Sequence, residues 1–145
     1  MSDKVILLVE DNPDDEELTL MALRRGNITN EIVVARDGQE ALDYLFGTGS
    51  HAGRDAGKRP EIVLLDMNLP KINGIDVLKR IRSDERTMTL PVVILTSSAE
   101  DRDRLAAYRN FANSYIRKPV DFDRFAEAVR QLGLYWLVLN QPPPA

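Results

Sequence analysis

Short apolar segments alternate with helical patterns five times along the chain. The predicted strands are rich in β-branched residues and comprise residues 5–9, 32–35, 62–65, 92–95 and 114–117. Short apolar runs without polar alternation are typical of strands that a parallel sheet buries on both faces. The pattern therefore predicts an α/β fold, a doubly wound five-stranded parallel sheet with five flanking helices.

Local signals mark the helices that follow these strands. Asn12 is the predicted N-cap of the first helix, with Pro13 at its first position. Asp37-Gly38 turns the chain into a second helix over 39–46. The other helices are predicted around 77–81, over 99–110 and over 122–132, the last with an apolar stripe of Phe122, Phe125, Ala126, Val129 and Leu132.

The connection over 47–60 is longer than most helix-to-strand loops, and it is rich in small and charged residues. We expect it to be either mobile or an interaction element. The single histidine, His51, lies in this connection, and the sequence shows no partner that would orient it. We therefore interpret His51 as an incidental surface residue rather than as a phosphoryl relay residue.

Length, composition and charge narrow the function classes. The chain has 145 residues, which fits one domain, and its 43% apolar and 29% charged residues are ordinary for a globular protein. A net charge of −4 argues against nucleic acid or an anionic membrane as a partner. There is no cysteine, which excludes disulfides and thiolate chemistry. Without a signal-peptide or membrane-spanning pattern, the expected compartment is the cytoplasm.

Polar residues follow four of the predicted strands. Glu10-Asp11, Asp66, Thr96 and Lys118 each come at or directly after a strand end. In an open α/β sheet, ligands bind at the carboxyl ends of the strands. A single acid there is more often a helix-start residue, but three converging carboxylates repel one another unless a cation lies between them. Carboxylate oxygens are ligands that Mg²⁺ prefers, so the set predicts a magnesium site.

The same residues resemble the receiver domain of bacterial response regulators over essentially the whole chain. The resemblance rests on the acidic pair, on Leu65-Asp66-Met67-Asn68-Leu69-Pro70, on Thr96 and on Lys118-Pro119, in the family's order and spacing. It implies a flavodoxin-like receiver fold and a two-component phosphorelay function. Such a protein is a phosphoacceptor signalling protein rather than an enzyme, and its partner is a sensor histidine kinase.

The resemblance also implies a role for each site residue. Asp66 would accept the phosphoryl group from a phosphohistidine of the kinase, which a carboxylate can do when nearby charge is neutralised. The implied Mg²⁺ ligands are Glu10, Asp11, Asp66 and the backbone carbonyl of Asn68. Lys118 would supply a second cation to the phosphoryl oxygens.

Thr96 and Tyr115 match the family's switch pair. The resemblance implies that the Thr96 hydroxyl binds the phosphoryl group and that the Tyr115 ring then moves inward. The face formed by helix four, strand five and helix five would change and contact partners or a dimer mate. The side chains of Asn68 and Ser98 would border the phosphate, and the Lys118-Pro119 bond resembles a position that is cis in the family.

The chain after the last predicted helix is short. We expect a receiver domain over 1–133 and an apolar, proline-rich tail over 134–145 without an effector domain. Tyr135, Trp136 and Leu137 lie in an apolar run that something must cover, either the domain itself or, as we favour, a homodimer mate. The tail, the 47–60 connection and the stretch after Lys118 resemble single-domain regulators paired with bacterial phytochrome kinases.

Three other functions are alternatives to a phosphorylated receiver. A flavodoxin-like cofactor binder would bind phosphate after strand one, where Glu10-Asp11-Asn12 would repel it. A phosphohydrolase would carry a second acid two residues after its nucleophile, where this chain has Asn68. A structural dimerisation receiver without phosphorylation would be expected to have lost part of the acid set.

Overall fold

Five strands and four α-helices alternate in the part of the chain that the structure describes. The strands are β1 (Val5–Val9), β2 (Glu31–Ala35), β3 (Ile62–Leu65), β4 (Val92–Thr96) and β5 (Ser114–Arg117). The helices are α1 (Pro13–Arg25), α2 (Gly38–Phe46), α3 (Gly74–Arg82) and α4 (Asp101–Arg109), with a single 3-10 turn, Gly49–His51, after α2. The structure, a computed structural model, describes residues 5–25, 28, 30–97, 100–117, 123–124, 127–128, 130–131 and 141.

All five strands are parallel and lie in the order β2-β1-β3-β4-β5. The predicted doubly wound parallel sheet is confirmed, and the strand bounds differ from the prediction by one residue at Glu31 and at Thr96. The chain order reverses between β1 and β3, so the connections that leave these strands diverge at their carboxyl ends. This switch point is where open α/β sheets bind ligands.

Each face of the sheet packs against its own set of helices. Leu7 and Val9 of β1 lie in one apolar cluster with side chains of α2, α3 and α4. Ile6 and Leu8 of the same strand lie in a second cluster with side chains of α1. Alternate residues of a strand point to opposite faces, which explains why the strand is apolar throughout. Burial of one such side chain contributes about 1.5 to 3 kcal/mol.

The predicted helix signals are confirmed at the residues that the structure describes. Asn12 Oδ1 accepts hydrogen bonds from the backbone N–H of Asp14 and Asp15 at 2.9 and 3.2 Å, as an N-cap should. Gly47 ends α2 in the left-handed conformation, with φ 66°. Residues 123–124, 127–128 and 130–131 are helical, whereas the predicted apolar stripe of the fifth helix lies outside the described residues. None of the described helices is long and apolar enough to cross a membrane.

The 47–60 connection packs against α2. Asp43 of α2 is buried, and its Oδ1 accepts hydrogen bonds from Thr48 Oγ1 at 2.9 Å and from Gln39 Nε2 at 3.0 Å. Arg54 places its guanidinium 3.7 Å from the centre of the Tyr44 ring and donates to the Tyr44 carbonyl at 2.7 Å. These contacts give the loop a defined path along the helix.

The interpretation of His51 as a residue without an orienting partner is wrong. Its ring meets the Tyr44 ring edge-on, with centroids 5.3 Å apart and an interplanar angle of 88°. Its Nε2 also lies 3.5 Å from a carboxylate oxygen of Glu40. Both partners belong to α2 and become neighbours only when the loop folds back, which no local sequence signal reports.

Candidate functional site

Three carboxylates converge at the carboxyl ends of two neighbouring inner strands of the sheet, β1 and β3. Glu10 and Asp11 follow β1, and Asp66 follows β3. One carboxylate oxygen from each residue lies within 4.8 Å of the others. The predicted convergence of the acidic pair with Asp66 is therefore confirmed in its geometry.

Backbone hydrogen bonds extend the sheet into this site. The Glu10 N–H donates to the Ala35 carbonyl at 2.9 Å, and the Asp66 N–H donates to the Val9 carbonyl at 3.1 Å. Each bond continues the parallel ladder by one residue beyond a strand end, so the backbone N–H of both acids is paired as it would be inside a strand. Only 2% of Glu10 and 8% of Asp66 are exposed, while Asp11 faces solvent.

The donor set suits a hard divalent cation. Carboxylate oxygens without nitrogen or sulfur are the ligands of Mg²⁺ and similar ions, and the exposed Asp11 leaves a path for water. Among the described residues, this is the one group of at least three acidic or histidine side chains close enough to share an ion. The cluster fits a cation that offsets the mutual repulsion of the three charges.

The two predicted switch residues lie on neighbouring strands. Thr96 is the last residue of β4 and is fully buried, and it pairs in register with Arg117 of β5. Tyr115 is half-buried and packs against the apolar cluster on the side of α2, α3 and α4. Thr96 therefore lies at the same edge of the sheet as the carboxylates, with Tyr115 one strand further away.

Of the other predicted site residues, the structure describes Asn68 but not Lys118, Ser98 or those of the tail. Asn68 is exposed, two residues after Asp66 and between the buried Met67 and Leu69. Lys118 directly follows β5 along the chain but lies outside the described residues. The same holds for Ser98 and for the tail residues Tyr135, Trp136 and Leu137.

Two glycines shape the site, one of which, Gly38, is predicted from the sequence as part of a turn. A Cβ at Gly74 would lie 2.2 Å from the carbonyl oxygen of Asp66, and a Cβ at Gly38 would lie 2.0 Å from the carbonyl oxygen of Ile72. Both glycines allow backbone segments to approach closely. The glycines themselves are visible in the sequence, but the segments that approach them are not. Ile72 is distant from Gly38 along the chain, and Asp66 is separated from Gly74 by a loop without periodicity.

The sheet order and the acidic cluster define a receiver, and comparison with known proteins agrees. Residues 6–130 match the family model of the response regulator receiver domain, so the chain belongs to this family. It is 42% identical to the probable methanogenesis regulatory protein FilR2 of Methanothrix harundinacea, over 96% of this chain and 87% of FilR2. It is 35% identical to the response regulator Rcp1 of a Synechocystis species, over 98% of this chain and 95% of Rcp1.

Solved structures place the chain close to the phytochrome response regulators. The phosphorylated cyanobacterial phytochrome response regulator RcpA superimposes with a TM-score of 0.89 at 36% identity, covering 99% of this chain and all of RcpA. The Mn²⁺-bound form of Rcp1 has a TM-score of 0.87 at 34% identity, covering 97% and 99% of the two chains. The bacteriophytochrome response regulator RtBRR has a TM-score of 0.79 at 49% identity, covering 97% and 84%.

Family and geometry together define the kind of activity. The chain is a receiver of a two-component phosphorelay, with an acidic pocket formed by Glu10, Asp11 and Asp66. It is a phosphoacceptor signalling module whose partners are sensor histidine kinases, rather than an enzyme. The alternatives of a flavodoxin-like cofactor binder and of a phosphohydrolase are thereby set aside.

Proposed function

We propose that Asp66 is the phosphoacceptor of this receiver. The observation that carries the proposal is the convergence of Glu10, Asp11 and Asp66 within 4.8 Å at the switch point of the sheet. In the transfer, the N–P bond of a kinase phosphohistidine breaks while a carboxylate oxygen of Asp66 forms the new O–P bond. The electron pair of the N–P bond stays on the imidazole nitrogen, and a proton on the other ring nitrogen lets the imidazole leave as a neutral ring.

The cation of the site is proposed to be Mg²⁺. Glu10, Asp11 and Asp66, with the backbone carbonyl of Asn68, would hold it, and it would neutralise negative charge on the transferred group. The backbone hydrogen bonds of Glu10 and Asp66 to the neighbouring strands would hold these two carboxylates in position for the cation. Lys118 is proposed as a second positive charge at the phosphoryl oxygens, on the strength of its place directly after β5.

Phosphorylation is testable with Mg²⁺ and a small acyl phosphate donor. We expect the wild-type chain to gain one phosphoryl group by intact mass, stable in acid and labile in base, and we expect Asp66→Asn to gain none. Asp76→Asn is the matched control, because Asp76 is an exposed acid in the first turn of α3. Equal labelling of Asp66→Asn and the wild type would refute the assignment, and an unlabelled wild type would favour a structural receiver.

The switch is proposed to run from Thr96 to Tyr115. Thr96 is buried at the site edge of β4, and Tyr115 lies on the neighbouring strand β5 with its side chain half-buried. Binding of the Thr96 hydroxyl to the phosphoryl group would favour an inward Tyr115 ring and a changed α4–β5 surface. In Tyr115→Ala, we expect normal labelling of Asp66 but loss of the phosphorylation-dependent spectral changes on α4, measured by NMR.

A phytochrome-type histidine kinase is the proposed phosphodonor. The proposal is supported by the similarity to RcpA, a cyanobacterial phytochrome response regulator, and to RtBRR, a bacteriophytochrome response regulator. Phosphotransfer from a panel of autophosphorylated kinases tests it. We expect a bacteriophytochrome kinase to transfer at least tenfold faster than kinases with other sensor domains, whereas equal rates across the panel would contradict the proposal.

We also propose that the chain forms a homodimer through the α4–β5 surface together with the predicted fifth helix and tail. Support from the described residues is the exposure of large apolar side chains on α4, 51% for Leu105 and 48% for Tyr108. The role of Tyr135, Trp136 and Leu137 and the domain limits of 1–133 and 134–145 stay predictions from the sequence. The cytoplasmic compartment stays a prediction as well.

A further inference from the structure

The loop over 66–74, which connects β3 to α3, packs directly against the first residue of α2. Gly38 is buried, and a Cβ at this position would lie 2.0 Å from the carbonyl oxygen of Ile72 and 2.9 Å from its carbonyl carbon. Real Cβ atoms do not come this close to other atoms. Two of the obstructing atoms belong to the backbone, and the third, Ile72 Cβ at 2.9 Å, is bonded directly to it, so none lies at the far end of a flexible side chain. Only glycine therefore allows the loop to occupy its present place.

Two polar contacts reinforce this approach. The Gly38 N–H points to the Pro70 carbonyl at 3.5 Å, and Lys71 Nζ lies 3.4 Å from Asp37 Oδ2. Asp37 also caps α2, since its Oδ1 accepts from the Glu40 N–H at 2.7 Å. One short segment, Asp37-Gly38, thus both begins the helix and receives the loop.

The loop backbone is unusual at the point of contact. Lys71 has φ 65°, in the left-handed region that a lysine rarely adopts and that costs about 1 to 2 kcal/mol. The Ile72 N–H turns back to the Pro70 carbonyl at 2.8 Å. A conformation of this kind persists when neighbouring structure determines it, and the neighbour here is the start of α2.

The other end of the loop is held against Asp66 itself. The Gly74 N–H donates to the Met67 carbonyl at 2.9 Å, and the Gly74 backbone lies against the carbonyl oxygen of Asp66. The loop is therefore enclosed between α3 on one side and α2 on the other. Because closely packed segments absorb little displacement, a shift of residues 70–72 should also displace Asn68 and Asp66.

We infer that Gly38, with its cap residue Asp37, is a positioning residue for the metal and phosphoryl site. It acts through the 66–74 loop, by fixing the place of the segment that carries Asp66 and the Asn68 carbonyl. The inference rests on the proposed function, because it assumes that these two residues bind the cation. A substitution at the start of α2 should then change the affinity for the cation, although it replaces none of the residues that bind the cation.

The test compares cation affinity with thermal stability in Gly38→Ala. We expect the Kd for Mg²⁺, measured by calorimetry, and for Mn²⁺, measured by electron paramagnetic resonance, to rise about tenfold, as for other residues that orient ligands. Labelling by a small acyl phosphate should slow in parallel at fixed Mg²⁺. Gly57→Ala is the matched control, since its nearest obstruction is only the Asp55 side chain at 3.1 Å.

A second variant keeps the inference falsifiable if Gly38→Ala does not fold. Ile72→Ala keeps the Cβ and backbone that meet Gly38 but removes the rest of the side chain, which packs against the apolar cluster, and so loosens the loop at this residue. Ile75→Ala makes the same change in another partly buried residue of the same apolar cluster. We expect Ile72→Ala to weaken Mg²⁺ binding and Ile75→Ala to lower only the unfolding temperature.

Each outcome separates the inference from the proposed function. Wild-type Mg²⁺ affinity in a folded Gly38→Ala, or in Ile72→Ala when Gly38→Ala is unfolded, would overturn the inference. A loss of thermal stability without a change in Kd would show a purely structural role and would also overturn it. Failure of the wild-type chain itself to bind Mg²⁺ would instead refute the proposed function.

Discussion

At the level of single residues, the three acids of the site differ in their access to water. Glu10 and Asp66 are buried, whereas Asp11 faces solvent beside them. Carboxylates that lie this close together repel one another, so the cluster lowers the stability of the folded chain when no cation is present. Binding and stability are therefore linked at this site.

This linkage predicts how a single substitution changes unfolding. In the absence of Mg²⁺, Asp11→Asn should raise the urea midpoint, because it removes one of three mutually repelling charges. At Mg²⁺ concentrations about 100 times the Kd, the wild type should gain about 2.7 kcal/mol, and Asp11→Asn should gain much less. The control Asp76→Asn should respond to Mg²⁺ like the wild type. A variant that is less stable than the wild type without Mg²⁺ would contradict this account.

A second residue-level feature is the Arg82 guanidinium at the end of α3. It donates to the carbonyl oxygens of Met88 at 3.1 Å, Leu90 at 2.7 Å and Phe111 at 3.0 and 2.7 Å, and to Asn113 Oδ1 at 2.9 Å. Burial lowers its pKa from the ordinary arginine value, but a guanidinium keeps its charge in proteins. The fork of donors joins α3 to the segments that precede β4 and β5, including Phe111 at φ 66°.

Loss of this fork should destabilise the whole domain. We expect Arg82→Ala to lower the free energy of unfolding by about 2 kcal/mol or more, because several carbonyl groups lose a charged donor. Arg82→Lys should recover little, since an ammonium cannot reproduce the planar fork. Arg80→Ala is the control, as Arg80 is exposed two residues earlier on the same helix, and its effect should stay within about 0.5 kcal/mol. Equal effects in urea unfolding at both positions would be evidence against the fork.

At the level of elements, periodicity and capping residues predicted most of the structure. The strand at 62–65 and the N-cap at Asn12 were predictable because each is determined by residues close in sequence. The positions of Glu10, Asp11, Asp66 and Thr96 followed, since the carboxyl ends of parallel strands share one edge. Contacts between distant segments, such as Gly38 with Ile72, leave no local pattern and were not predictable. The packed 47–60 loop was missed for the same reason.

The anchor of that loop should depend on pH. Hydrogen bonds from Gln39 and Thr48, in that order of effect, hold the pKa of the Asp43 carboxyl below its ordinary value of about 3.9. Because the folded pKa is depressed, the carboxylate stabilises the loop above the unfolded value, and this contribution is lost as the pH falls through the folded pKa.

Amide exchange can follow this local loss. As the pH falls from 5 towards 3, protection factors of the His51 and Ala52 amides, which bond within the 3-10 turn, should decrease in the wild type. Asp43→Asn has no carboxylate at this position, so its protection there should depend less on pH. The Val63 amide in the sheet is the internal reference for global unfolding. Identical pH profiles of wild type and Asp43→Asn would argue against Asp43 as the anchor.

At the level of the whole molecule, α4 is the least firmly covered of the described helices. Among its described side chains only Ala107 is buried, while Leu105 and Tyr108 present large apolar surfaces to solvent on one side of the helix. A helix with one fully buried side chain among those described can shift at lower cost than one with several, and exposed apolar groups at this spacing suit association. Both properties are those required of a surface that reports phosphorylation to a partner.

The proposed homodimer makes this surface testable by sedimentation velocity. We expect the wild type to sediment as a dimer at micromolar concentration, and Leu105→Ala combined with Tyr108→Ala to raise the dimer Kd at least tenfold, or about 1.4 kcal/mol. Trp136→Ala should have a similar effect if the tail completes the interface. Met21→Ala is the control, because Met21 is 45% exposed on α1, which covers the opposite face of the sheet. A monomeric wild type would refute the dimer, and an unchanged Trp136→Ala dimer would remove only the tail from it.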